Sequence, residues 1–236
     1  MSYSEYCDYF PGGVPPGIMF KVTLDDLQEL LEIVPKKEGL DRIDRGSEIL
    51  FVGLISYFEG FLKEVFASAI NIDNTLLHNL GKNGQDVSID SRRLLVYGEN
   101  VYKKLGFVVS ERFDFGTAKK INSLYLALLN VSPFSKDAVK QFDRLLTDRN
   151  LIVHHGSNYT LSYLEQTKIA SIENAYWNCL IVDKEYFRDA FKFIEETSNK
   201  LLKSVSTALH SGLTSEGLRS MQVQIEAAAA LAEWGI

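Results

Sequence analysis

Arg149, Asn150, His154 and His155 stand within one short stretch, and their side chains are those that acid–base chemistry on an anionic substrate requires. A guanidinium holds a phosphate bidentately, an amide orients a neighbour or donates to an anion, and an imidazole titrates near neutral pH. Ala138, Phe142, Leu145 and Ile152 recur at helical spacing, and Arg149 falls in that apolar stripe. Val139, Leu146 and Val153 form the neighbouring row, which also contains Asn150. At about 100° per residue, Arg149 and His154 lie roughly 140° apart around the helix, so they share no single stripe. They meet only in a cleft at the end of a bundle, where the long arginine reaches. An unpaired buried charge is costly, so Arg149 needs a carboxylate, a water-filled cleft or an anionic ligand. The plainer account of the same residues is structural: Arg149 pairs with Glu59 or another acid, and His154 and His155 close the helix as satisfied polar groups.

The helix that carries them is predicted over Lys136 to about His155. Ser135 is a good N-cap, Phe134 is placed to pack on Val139 as a hydrophobic staple, and Gly156 suits the left-handed position that closes a helix. Arg149-Asn150-Leu151-Ile152-Val153-His154 resembles the R-(N/D/H)-x3-H form of the Rx4–6H motif of the HEPN superfamily. The setting is similar too: a motif near a helix end, followed by glycine, with a long apolar helix upstream. The resemblance covers about Asp41 to Leu209.

It implies an all-α, up-and-down helical bundle, usually a homodimer that sets two copies of the motif in a composite cleft between subunits. It also implies a metal-independent endoribonuclease with a toxin or antiviral defence role. RNA is then the substrate, no cofactor or metal is needed, and an antitoxin or regulatory protein is a further partner class. RNA supplies its own nucleophile, the 2′-hydroxyl, and attack on the adjacent phosphate leaves 2′,3′-cyclic phosphate and 5′-hydroxyl ends. In that scheme His154 is the acid–base group, Arg149 holds the phosphate, and Asn150 orients His154 or donates a hydrogen bond. His155 and Glu59 are second-tier candidates. The tyrosine that some HEPN toxins carry two residues after the histidine is here Gly156. Other members of the superfamily are non-catalytic, so the alternative function is a module that binds a nucleotide, RNA or a protein partner.

Other chemistry is poorly represented. His78 and His210 are isolated, and no HExxH, GxSxG or phosphate-cradling glycine loop occurs. Glu59 and Lys63 stand at i, i+4, the spacing of a surface ion pair. Lys136, Lys140 and Arg144 interleave with Asp137, Asp143 and Asp148, the pattern of a solvated helix face.

The elements that position the motif are mostly helical. Residues 1–22, rich in Tyr, Gly and Pro, read as an irregular arm broken by Pro11-Gly12-Gly13 and Pro15-Pro16-Gly17. Thr23 caps a predicted helix to Val34, and Asp41 to Ile72 forms a long helix apolar on several sides, hence central. Arg92 to Leu105 and Thr117 to Leu129 are further helices. A small β-hairpin excursion is expected near 165–182, with Trp177 to Val182 as its strand. Asp183 opens a helix to about Leu209, and Ser215 to Trp234 forms a last, weakly amphipathic one. The domain scheme is therefore an arm (1–22), a helical domain (23–210) and a C-terminal helix (211–236).

The whole chain has 236 residues, 46% of them hydrophobic, and a net charge of -6, so a globular core is expected and a uniformly basic surface is excluded. Cys7 and Cys179 have no motif spacing and read as free thiols of a reducing cytoplasm. No signal peptide is visible, and Glu59, Lys63 and Glu64 interrupt the most apolar stretch, so no membrane span is expected.

Overall fold

The computed structural model describes residues 5–35, 44–89, 91–169, 173, 177–215 and 222–235. The chain is all-α. Its helices are α1 (Pro16–Ile33), α2 (Arg45–Ile72), α3 (Leu76–Lys82), α4 (Ser91–Tyr97), α5 (Leu105–Ser110), α6 (Ala118–Leu129), α7 (Lys136–His155), α8 (Leu161–Thr167), α9 (Lys184–Ser215) and α10 (Gln222–Ala230), with 3-10 turns at Glu5–Tyr9, Pro11–Gly13 and Gly98–Lys103. No strand occurs among the described residues, and no helix among them is long and apolar enough to cross a membrane. The residues cluster into two units whose boundaries fall inside α1, α2 and α9 and between α6 and α7.

The first unit comprises residues 1–22, 59–134 and 196–236. Phe61, Leu62, Val65, Phe66, Ala69 and Ile70 of α2 are buried there, together with Ile121, Tyr125 and Leu128 of α6. The Phe66 ring meets Phe113, Phe115 and Tyr125 edge-on at 5.8, 5.5 and 5.5 Å. The Tyr125 hydroxyl, buried with its ring, donates to the Leu62 carbonyl at 2.6 Å. That bond meets the requirement that a buried polar tip find a partner. Buried Asn71 joins two distant segments: its amide donates to Tyr9 O at 3.1 Å and its oxygen accepts from Gly106 N at 2.7 Å. Ala227, Ala228 and Ala230 bury α10, which packs on the turn Glu5–Tyr9.

The second unit comprises residues 23–58 and 135–195. Leu24, Leu27 and Leu31 of α1, Phe51, Leu54, Ile55 and Phe58 of α2, Phe142, Leu145, Leu146 and Leu151 of α7, and Phe187 and Ile194 of α9 form its core. Phe58 meets Phe142 edge-on at 5.3 Å and Phe51 meets Tyr186 at 5.4 Å.

Three sequence expectations are corrected. First, α1 begins at Pro16, inside the span expected to be irregular. Proline at the first helical position is favourable, because its missing N–H has no intrahelical partner in any case. Gly17 then serves close packing: a Cβ there would lie 2.2 Å from Glu233 O. Second, the expected hairpin near 165–182 is absent among the described residues. Residues 165–167 end α8, whose N-cap Thr160 accepts from Tyr163 N, and Cys179 makes one isolated antiparallel bridge to Asn158. The segment pairs with the turn after α7, through Leu180 N to Ser157 O at 2.8 Å, rather than with a second strand. Residues 170–172 and 174–176 of that span lie outside the described residues. Third, Asp148 does not belong to a solvated face, since it is 0% exposed. The start of the long helix expected at 41–43 and the stretch 216–221 of the last helix also lie outside the described residues.

Candidate functional site

Helix α7 spans Lys136–His155, and both its ends follow from local sequence. Ser135 Oγ accepts from Ala138 N at 3.3 Å, and Gly156 closes the helix at φ 56° with its N–H on Ile152 O. Asn150, His154 and His155 are exposed at its C-terminal end, Arg149 is half-buried, and the Nε atom of Arg149 is buried. Asn150 and His154 are one turn apart and therefore point the same way.

They open into a groove of about 190 Å³. One wall is α7, through Thr147, Asn150, Leu151, His154 and His155; the other is Thr160 and α8, through Ser162, Tyr163 and Gln166. Arg149 does not line this groove, nor does Glu59, which is half-buried on α2 in the first unit. The structure thus brings together Asn150, His154 and His155 and leaves Arg149 on another face of the same turn, as the angular offset of about 140° requires.

Two buried carboxylates anchor this end of α7 and the turn that follows it. Asp148 Oδ1 accepts from Tyr163 Oη at 2.6 Å, and Oδ2 accepts from Arg144 Nε at 2.9 Å and from Tyr186 Oη. Arg144 Nη2 also donates to Tyr163 Oη at 2.9 Å, and the guanidinium carbon lies 5.4 Å from the Tyr163 ring centre. One carboxylate therefore ties α7 to α8 and α9, and its charge is matched by a guanidinium one turn earlier. Burial, and then the neighbouring Asp148 charge and hydrogen bond, push the Tyr163 and Tyr186 hydroxyls well above the ordinary tyrosine range. Both remain protonated donors at any physiological pH.

The second carboxylate is Glu48, on the first turn of α2, with only 3% of its side chain exposed. Its Oε1 accepts from Ser157 Oγ at 2.8 Å and its Oε2 from Arg45 Nη1 at 2.5 Å. Asp44 caps the same helix, accepting from Ser47 N at 3.2 Å and from Ser47 Oγ at 2.6 Å. Ser157, at φ 71°, is the residue through which the turn after His155 is anchored.

Sequence reasoning missed Asp148, Tyr163, Tyr186 and Glu48. The available signal was the row: Asp148 is three residues from both Leu145 and Leu151, and Glu48 is three before Phe51. Among the described residues, no three His, Cys, Asp or Glu side chains converge as a metal site would need, and Cys7 and Cys179 are free thiols. In comparisons with known proteins, no protein-family model, no curated protein and no solved structure matches this chain.

Proposed function

We propose that the protein is a metal-independent endoribonuclease of HEPN type, with Arg149 and His154 as its catalytic pair and Asn150 in support. The observation that carries this reading is the placement of His154 and Asn150: both are exposed and line one groove, on a helix end held by two buried carboxylates. A free imidazole on a fixed helix end is what general acid–base work needs. The 2′-hydroxyl of a bound ribose attacks the adjacent phosphorus and its proton passes to an imidazole. The bond from phosphorus to the 5′ oxygen breaks, and that oxygen takes up a proton as it leaves. The products are a 2′,3′-cyclic phosphate and a 5′-hydroxyl. His154 performs one of the two proton transfers, and His155, which lines the same groove, is the candidate for the other. Arg149 balances charge on the phosphate. A toxin or defence role, a homodimer with a composite site, and a restraining antitoxin or regulator belong to the same proposal.

One feature favours the second reading, a non-catalytic module that binds a nucleotide, RNA or a protein partner. Arg149 and His154 do not face a single groove within one chain. The deciding experiment incubates a mixed RNA pool in EDTA with wild type, Arg149→Ala and His154→Ala, and reads the product end groups. Cyclic-phosphate ends from wild type, lost at least about 100-fold in each variant with helical circular dichroism intact, are expected for the nuclease. Equal cleavage by all three proteins overturns it.

A further inference from the structure

The wall of the groove that faces the motif is made of neutral hydrogen-bonding groups. Gln166 and Ser162 are exposed on α8, Thr160 is half-buried at its cap, and Asn150 stands across from them on α7. Leu151 and Tyr163, both 3% exposed, supply an apolar floor. No lysine, arginine, aspartate or glutamate lines the groove. Among its lining residues only His154 and His155, at the α7 end, can carry positive charge, so a phosphate is met at that end alone and a cationic group meets no carboxylate. What fits is a neutral, flat group with both donors and acceptors on its edge. The volume of about 190 Å³ is below the range of about 300–1,000 Å³ typical of pockets for drug-sized ligands, so one ring system fits and an extended chain does not.

Among the unpaired bases that proteins read on their edges, the side-chain types discriminate further. Guanine is read by Arg or Lys on O6 and N7, cytosine by a carboxylate accepting from N4, and adenine by an Asn or Gln amide donating to N7 while accepting from N6. The groove carries two such amides, Asn150 and Gln166, and neither the Arg or Lys nor the carboxylate reader; its Thr147, Thr160 and Ser162 hydroxyls serve any base and do not discriminate. We infer that it is an adenine-binding subsite, with Gln166 as the specificity residue and α8 as the reading wall. The Asp148–Tyr163 bond keeps that wall at a fixed distance from α7. The place of this base beside the cleaved phosphate rests on the nuclease reading above; the binding of the base does not.

The test uses hexanucleotides of A, C and U, all 2′-O-methylated so that the nucleophile is blocked and binding is read without cutting. Labelled hexamers are titrated against the full chain by fluorescence anisotropy. The A hexamer is expected to bind roughly fivefold to a hundredfold more tightly than the C and U hexamers, the range a bidentate base contact provides. Gln166→Leu removes most of that preference, and Gln166→Glu shifts it towards C, both with unchanged helical circular dichroism. Equal affinity for the three hexamers, no binding of any, or a preference untouched by Gln166→Leu overturns the inference. Adenosine monophosphate competing with the A hexamer at comparable concentration keeps the adenine site and makes a free nucleotide its occupant. Cleavage of the RNA pool without adenine preference overturns this inference alone, whereas adenine preference without cleavage overturns the nuclease reading alone.

Discussion

The Tyr163 hydroxyl donates to Asp148 Oδ1 at 2.6 Å, and this bond fastens α8 to α7 less than two turns before His154. Asp148 is fully buried, yet its oxygens meet three donors from α7, α8 and α9. A carboxylate removed from water is tolerated only when its lone pairs are filled this way.

Removing Asp148 therefore leaves the buried Tyr163 hydroxyl, the half-buried Tyr186 hydroxyl and a guanidinium without their acceptor. Asp148→Ala is expected to cost about 3–5 kcal/mol of unfolding free energy. Tyr163→Phe removes one donor and costs about 1–3 kcal/mol. Urea denaturation of each variant checks both values. The double variant Asp148→Ala/Tyr163→Phe should cost less than the sum, because the two residues share one network.

Alkali should act through the same cluster. Tyr163 and Tyr186 titrate at ordinary tyrosine values near 10 when unfolded but well above that when folded, because burial and Asp148 both disfavour the phenolate. The folded state then holds more protons than the unfolded state above pH 10. The stability this provides is fully present below pH 10 and is lost progressively as pH rises beyond it. Denaturation midpoints from pH 8 to 11.5 should fall more steeply for wild type than for Tyr163→Phe/Tyr186→Phe. Parallel curves would show that the two hydroxyls carry no such linkage.

Ser157 combines a left-handed backbone with a buried hydrogen bond, and substitution separates the two. Ser157→Ala keeps the φ of 71° unfavourable and leaves Glu48 Oε1 without its hydroxyl donor, at about 2 kcal/mol. Ser157→Gly loses the same bond but relieves the backbone, so it should lie about 0.5–1 kcal/mol above the alanine variant. Thermal melts of the pair give the difference directly.

Gly106 tests the packing of the first unit. A Cβ there would lie 1.9 Å from Ala67 O and 2.9 Å from Asn71 Oδ1. Gly106→Ala must push α5 away from α2 and strain the Asn71 bonds to Tyr9 and Gly106, a cost of about 2–3 kcal/mol. An unfolding midpoint equal to wild type would mean that the helices separate freely at this point.

Much of the architecture was legible where local chemistry dominates. Ser135 and Gly156 announce α7 from side-chain capping and left-handed geometry alone, and both play those parts. The apolar periodicity of α2 likewise marks a helix that is buried on several sides. What local pattern hides is a polar residue in an apolar row. Asp148 looked like one of three alternating acids, because nothing nearby in sequence announces Tyr186, its partner 38 residues away. The start of α1 was hidden for a related reason: Pro15-Pro16-Gly17 suggests a break, and only packing against Glu233 and Leu202 explains the glycine. Type and spacing singled out Asn150, His154 and His155, which share one groove, but not the facing Thr160, Ser162 and Gln166, whose place depends on how α8 folds back.

The order in which the ribosome makes this chain bears on the groove. Glu48 and Ser157 are 109 residues apart, and Tyr186 reaches back to Asp148 from well beyond the motif. A nascent chain that has just extended past His155 already carries every histidine and amide of α7 but lacks the α9 donor that closes the knot. At about 5–20 residues per second, roughly 2–6 s of further elongation separates His155 from Tyr186. Chains that end in that interval carry the motif residues without the Tyr186 donor, so the hydrogen bonds that hold this helix end belong to the folded chain rather than to the peptide that contains the motif.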